Sequence, residues 1–383
     1  MARLKDFRLE TYFSRWEFTA RYHMTASDAE AMTLKDLLAL AEPADAAAFE
    51  TLWLGYTETF GAPALREAIA ATYQGRKAAD ILCFAGAEEG LFVAAHALLE
   101  PGDHAIVVTP NYQSAETIPL SICEVSGVPL DPMNDWALDI DRLAAAIRPN
   151  TRLVSINFPH NPTGRIIPHD DLQRLVELCR RHGLWLFSDE VYRSLGLHPE
   201  RQLPQVADLY ERSLSLNVMS KAYGLPGLRI GWIATQDHEV LTRMERLKHY
   251  LSICNSAPSE VLACIALKNR DRILARNNAL LAENVALLEA FFAEFPHLFD
   301  WRRPDGGCIA FPRYLGPGSV DEFTADLVEK SGVLLLPASV YTSDLQPTPT
   351  DRFRIGYGRR GMAEGLAAFR AYLHKNDRVA GAA

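Results

Sequence analysis

Lys221 is the residue in this sequence best placed to do chemistry. It lies in Ser220-Lys221-Ala222-Tyr223-Gly224-Leu225-Pro226-Gly227-Leu228-Arg229-Ile230-Gly231-Trp232, between two apolar runs that read as strands. A lysine held partly out of water shifts toward its neutral amine, which is both a nucleophile and a base. An isolated lysine would simply be solvated. The weight rests on the whole run: a Ser-Lys step, a glycine- and proline-rich loop, then an arginine entering a strand. Three further segments also follow predicted strands. Ser188-Asp189-Glu190-Val191-Tyr192 places a carboxylate at the end of an apolar run, where burial is costly without a cation. It either meets a cationic group there or caps the next helix. Pro159-His160-Asn161-Pro162-Thr163-Gly164 is a turn stiffened by two prolines and ended by a glycine. It either just ends a strand or presents the Asn161 amide to a ligand oxygen. Gly86-Ala87-Glu88-Glu89-Gly90 sits between a strand and a helix. Backbone N–H groups at such a helix start can hold a phosphate, although many helices begin beside a glycine with no ligand.

These segments need a scaffold that brings strand ends together. Ile81–Phe84, His104–Val108, Arg152–Asn157, Leu184–Ser188, Ser213–Val218 and Ile230–Thr235 are continuous apolar runs, as expected for strands covered on both faces. Helical patterns intervene at Ala64–Tyr73, Gly90–Leu99, Leu138–Ile147 and Asp170–His182. This alternation predicts an α/β fold with a mainly parallel central sheet covered by helices, whose ligands lie beyond the carboxyl ends of the strands. From Asp271 to Phe295 a long helical region follows, with Leu280, Leu281, Leu287, Leu288 and Phe291 expected on its buried face. Short strands near Cys308–Phe311, Val333–Leu336 and Arg352–Tyr357 read as a smaller α+β domain. The expected division is an N-terminal segment, 1–45, packing on the small domain; a large domain, 46–275; and the small domain, 276–383.

The chain has 383 residues and a net charge of -9. With no long basic run, nucleic acid is not an expected partner. The longest apolar stretch, about Leu91 to Leu99, is too short to span a bilayer, and no apolar secretory segment follows the first residues. The six cysteines form no C-x-x-C pair. Reduced thiols in a cytoplasmic protein are the expectation.

Taken together, the four segments resemble fold-type I pyridoxal-5'-phosphate (PLP) enzymes of the class I/II aminotransferase family. The likeness runs from about Gly55 to Tyr357 and is strongest around Asn161, Asp189, Lys221 and Arg229. It implies that the large domain binds PLP and that Lys221 carries the cofactor as a Schiff base and shuttles the Cα proton. Asp189 would pair with the ring nitrogen. Asn161 and Tyr192 would hydrogen-bond the ring hydroxyl, and Tyr112 would stack on the ring. Ala87 and Glu88 backbone N–H groups, the Ser220 hydroxyl and Arg229 would hold the phosphate, with the Glu88 side chain turned away. Arg354 would grip the substrate α-carboxylate, with Arg352 an equal candidate without the family. Tyr56 would reach the phosphate of a neighbouring subunit, which implies a homodimer with shared sites.

The sequence departs from the family at two places. Val218, three before Lys221, stands where many relatives carry a serine that adds a phosphate donor. The segment from Tyr22 to Met32, with Leu9-Glu10-Thr11-Tyr12-Phe13 before it, resembles the start of the capreomycidine synthases instead. Those enzymes remove a β-hydroxyl from a hydroxyarginine and close a ring. The expected reaction is therefore transamination between an α-amino acid and a 2-oxo acid, with a PLP-dependent lyase or cyclase as the alternative. His23, Asp28 and Glu30 are candidates to meet a polar or basic side chain. A ligand-sensing regulator on this fold would need a helix-turn-helix, and none is visible before Gly55.

Overall fold

The computed structural model describes residues 4–196 and 201–380. Its centre is a seven-stranded sheet: β1 (Ile81–Phe84), β2 (His104–Thr109), β3 (Glu124–Pro129), β4 (Thr151–Asn157), β5 (Trp185–Asp189), β6 (Ser213–Val218) and β7 (Gly231–Ala234). The spatial order is β1-β7-β6-β5-β4-β2-β3. Only β7 runs against its neighbours. Every residue of β1, β2, β6 and β7 is buried. That is why these strands read as unbroken apolar runs: alternate side chains enter two different cores. Leu82 and Phe84 pack into one, Ile81 and Cys83 into the other.

The strand that the sequence pattern missed is β3. It lies at the sheet edge, begins at exposed Glu124, and contains Gly127 and Pro129. An edge strand with one solvated side lacks the apolar run. Among the flanking helices, His169–His182 shows how closely local chemistry can mark an element. Asp170 and Asp171 lie in its first turn, Arg180, Arg181 and His182 in its last, and Gly183 ends it at φ 64°.

The rest of the described chain builds the wall opposite the sheet. Helix Arg270–Glu294 is continuous for 25 residues, so the expected division at 275 falls inside it. It packs against helix Met362–Ala380. Leu281, Leu288 and Phe291 are buried as expected, but Leu287 is 40% exposed. Asn277 and Asn284 share the buried face instead. The Asn277 amide donates to Ala222 O at 2.8 Å, and that of Asn284 to Tyr357 O and Arg359 O at 2.9 and 2.8 Å. The long helix thus clamps the lysine loop and the segment after strand Phe353–Gly356. That strand is the middle of a three-stranded sheet with Ile309–Ala310 and Leu336–Pro337. The N-terminal segment joins the same wall. Tyr22–His23 pairs in parallel with Val333–Leu334, and helix Arg8–Trp16 rests on the turn Ala338–Tyr341. Among the described residues no helix is long and apolar enough to cross a membrane.

Candidate active site

Residues β4, β5 and β6 end side by side, with Asn157 opposite Asp189 and Asp189 opposite Leu216. A cavity of about 510 Å³ opens there. Lys221, Ser220 and Asp189 line it, together with Asn161, Tyr192 and Tyr112. Ala87, Glu88 and Arg229 line it too; of the site residues implied by the family resemblance, Arg354 and Tyr56 do not. Positions spread over more than 140 residues therefore meet in one place.

Lys221 donates from Nζ to the Ser27 hydroxyl at 3.0 Å. Burial lowers its pKa below the ordinary amine value, against the pull of nearby Asp28. Asp189 ends β5 and is pushed up to about 6 by burial; a bond from the Val191 N–H at 3.1 Å and the Lys221 charge act the other way. Asn157 fixes the floor: its amide donates to Asp189 O, and its Oδ1 accepts from the Asn161 N–H, both at 2.9 Å. The Asn161 side chain in turn accepts from the Tyr341 hydroxyl at 3.0 Å and from Arg354 Nη1 at 3.4 Å. Arg354 is wholly buried behind Asn161, held also by Thr25 O and the Tyr341 hydroxyl, both at 2.7 Å. Arg352, the equal candidate, lies over the Trp136 ring and donates to Phe311 O; neither arginine lines the cavity, and only Arg354 bonds a residue that does, Asn161. Tyr192 is 2% exposed, and burial holds its hydroxyl well above the usual phenol value.

The opposite end of the cavity suits an anion. Helix Ala87–Leu98 starts after Gly86 at φ 98° with no side-chain cap, which leaves first-turn N–H groups open. Gly231 lets β7 approach this start: a Cβ there would lie 2.7 Å from the Gly86 carbonyl carbon and 2.8 Å from the Ala87 nitrogen. A Cβ on Gly86 would lie 2.3 Å from Arg229 Nη2, so the guanidinium is pressed against the same turn. Ser220 contributes a hydroxyl with 7% exposure of its residue. Glu88 does open onto the cavity, and its carboxylate accepts from the Ser114 hydroxyl at 3.0 Å.

An anion cradle, a nucleophilic lysine and a carboxylate that lacks a strong cationic partner fit one group: a phosphorylated pyridine aldehyde. Among the described residues no cluster suits a metal ion. Tyr56 is 85% exposed and away from this cavity.

The structure adds residues that sequence reasoning did not single out: Ser27, Glu10, Glu17, Tyr341 and Arg359. Glu10 and Glu17 are seven positions apart, a spacing that places them on one helical face and that was readable in the sequence. Two expected substrate contacts have other tasks. Asp28 binds Arg359 through both oxygens, at 3.0 and 2.8 Å, and Glu30 accepts from the Arg360 N–H at 2.8 Å outside this cavity. His23 does line the cavity, and burial and Arg359 lower its pKa to about 4, so it is neutral near pH 7.

The family model for class I and II aminotransferases matches residues 23–368. Capreomycidine synthase of Streptomyces vinaceus is 30% identical, covering 98% of this chain and 95% of its own. Arginine–pyruvate transaminase of Pseudomonas aeruginosa is 30% identical, covering 81% and 80%. A solved PLP-dependent aminotransferase from Streptococcus suis superposes with a TM-score of 0.90 at 31% identity, over 97% of this chain and 98% of that one. With the family model covering most of the chain and the segments that carry Asn161, Asp189, Lys221 and Arg229, the chain belongs to the class I and II aminotransferase family and is a PLP-dependent enzyme.

Proposed function

We propose that this enzyme transfers the amino group of an α-amino acid to a 2-oxo acid, with Lys221 as the residue that carries the cofactor and moves the substrate proton. The observation that carries this reading is the convergence of Lys221, Asp189 and Asn161 on one cavity, with Arg354 bonded to Asn161 from behind. When bound, PLP supplies an aldehyde carbon and a ring that accepts electrons. The Asp189 carboxylate would hold a proton on the ring nitrogen. Asn161 and Tyr192 would bond the ring hydroxyl, and Tyr112 would cover the ring. The open N–H groups at Ala87 and Glu88, the Ser220 hydroxyl and Arg229 would hold the phosphate. Arg354, behind Asn161, would orient the α-carboxylate with its planar fork by exchanging its contacts with Asn161 and Tyr341 for the substrate. Lys221, depressed toward its neutral form, would be the base that takes the proton from the substrate's Cα and gives it back.

A second reading has its own support. The match to capreomycidine synthase spans nearly the whole of both chains. In a lyase or cyclase the same Lys221 removes the Cα proton, but a substituent at Cβ then leaves. One turnover of holoenzyme without any 2-oxo acid separates the two. Arginine, alanine, glutamate, an aromatic amino acid and β-hydroxyarginine are the substrates to compare. Transamination bleaches the visible cofactor band and releases one equivalent of 2-oxo acid. If only the hydroxylated substrate reacts, with the band intact and water lost or a ring formed, the cyclase reading replaces it. In Arg354→Lys the same response should need roughly 10- to 100-fold more amino acid, from the loss of charge-assisted bonds; an unchanged response would move the carboxylate site elsewhere.

The enzyme is further proposed to be a homodimer. Trp53, Leu54 and Tyr56 are 78–85% exposed within four residues, more apolar surface than one loop of a monomer readily leaves in water. In the dimer Tyr56 reaches the partner's phosphate site. A solution mass twice that of the chain, together with faster PLP loss in Tyr56→Phe, is the expected result; a monomer that retains PLP would overturn it. The free cysteines support a cytoplasmic location.

A further inference from the structure

The charges on the cavity wall are unequally committed. Lys221 faces Asp189, and Arg229 lies at the helix start that suits the phosphate. Arg359 is neutralised by the two-oxygen pairing with Asp28. No guanidinium on this wall is left to receive a side-chain carboxylate. Glu88 is bonded by Ser114 at the phosphate end, its pKa raised by burial; the remaining uncommitted charges are negative and come from one short element. Helix Arg8–Trp16 lies across the cavity mouth and brings Glu10 and, at its C-cap, Glu17 onto the wall. Glu10 has one weak contact, from the Tyr112 hydroxyl at 3.4 Å. The Glu17 carboxylate has no hydrogen bond or ion pair among the described residues. Its carboxyl is held above the usual value by burial and by the Glu10 charge, with Arg359 and Lys221 only partly compensating. The apolar stem between them is Phe13, which reaches toward Arg354, its ring 5.9 Å from that guanidinium. A substrate whose α-carboxylate points to Arg354 and whose Cα meets Lys221 must extend its side chain under this helix.

Resting on the reading that the cavity binds an α-amino acid, we propose that Glu17, with Glu10, selects a substrate whose side chain ends in a cation, a guanidinium or an ammonium group. The site itself is not inferred from the carboxylates, since Lys221 and Asp189 already define it. What the two glutamates decide is the side chain. Two negative charges left facing each other in partial burial repel, and a cationic tip relieves both. A planar guanidinium can bind one carboxylate with two parallel bonds. The arginine–pyruvate transaminase among the relatives takes, by its name, a substrate of this class. An aspartate- or glutamate-type side chain would meet only like charge here.

The test uses PLP-loaded enzyme and a matched pair of ligands, arginine and citrulline, which differ in charge but scarcely in shape. Equilibrium titration followed by calorimetry and by the cofactor band should show arginine binding about 10- to 100-fold more tightly than citrulline. Glu17→Gln should bring that ratio down about tenfold, and Glu10→Gln by less, since its carboxylate is the more exposed. The preference should also weaken at high salt. Retention of the visible cofactor band in both variants checks that they fold. Equal binding of arginine and citrulline, or an undiminished ratio in the Glu10→Gln/Glu17→Gln double variant, overturns the proposal. If alanine or another neutral amino acid bleaches the band as readily as arginine, the aminotransferase reading stands and only the selection by Glu17 fails.

Discussion

Lys221→Ala is expected to lower turnover by about 10²- to 10⁴-fold or more, because it removes the group that moves the proton. The protein should remain folded, since the side chain makes a single hydrogen bond, to Ser27. The structure gives a reason to choose this lysine over the other buried one. Lys248 is also depressed by burial, but its ammonium is locked by Thr59 O, Cys83 O and Asn255 Oδ1 at 2.6, 2.7 and 2.8 Å. Three acceptors hold the proton on Lys248 and leave no direction of attack. Lys221 has one neutral partner and an open cavity in front of it. Borohydride treatment of the loaded wild type should therefore fix the cofactor to the peptide carrying Lys221. A label on any other lysine would refute the assignment.

Asp189 should show two opposite signatures, depending on whether its partner is present. In the empty cavity its carboxyl sits at about 6 against an ordinary 3.8. A raised folded-state value means that the folded protein binds the proton more tightly than the unfolded chain. The resulting stabilisation is full below about pH 3.8 and is lost as pH rises through about 6. Across that window the cofactor-free protein should lose about 1–3 kcal/mol that Asp189→Asn retains, a range set by the shift and by partial exposure to the cavity. Without cofactor, Asp189→Asn should thus melt above the wild type at pH 8 and close to it at pH 4. With cofactor bound the order should reverse, because a ring cation gives the carboxylate its counter-charge. Cα proton exchange in Asp189→Asn should fall by about 10²- to 10³-fold, the usual loss when a pre-placed charge is removed from a developing one. Thermal melts across pH with and without PLP, and deuterium uptake at Cα, measure these effects. Near-normal exchange with saturating cofactor would rule out the role.

The features legible in the sequence are those written within a few neighbouring residues. Six strands of the sheet were marked by apolar runs because each is covered on both faces, and their ends fell within one or two residues of the observed ones. Asn161, Asp189 and Lys221 could be singled out because each follows such a run, and a parallel sheet gathers the carboxyl ends of its strands on one side. Packing alone decided the rest. Arg352 and Arg354 differ only in what packs against them: Arg354 bonds Asn161 and Tyr341, whereas Arg352 lies over the Trp136 ring. Leu287, expected on the buried face, is exposed, and Asn284 is buried because the long helix meets backbone carbonyls after strand Phe353–Gly356, to which its amide donates. The contact of Lys221 with Ser27 joins residues 194 positions apart, that of Tyr112 with Glu10 joins residues 102 apart, and the Asp28–Arg359 pair joins residues 331 apart. No local pattern encodes these meetings. They arise when the N-terminal segment, helix Arg8–Trp16 and the stretch through Asp28, is laid over the strand ends, and with them the charge of the wall that faces the substrate side chain.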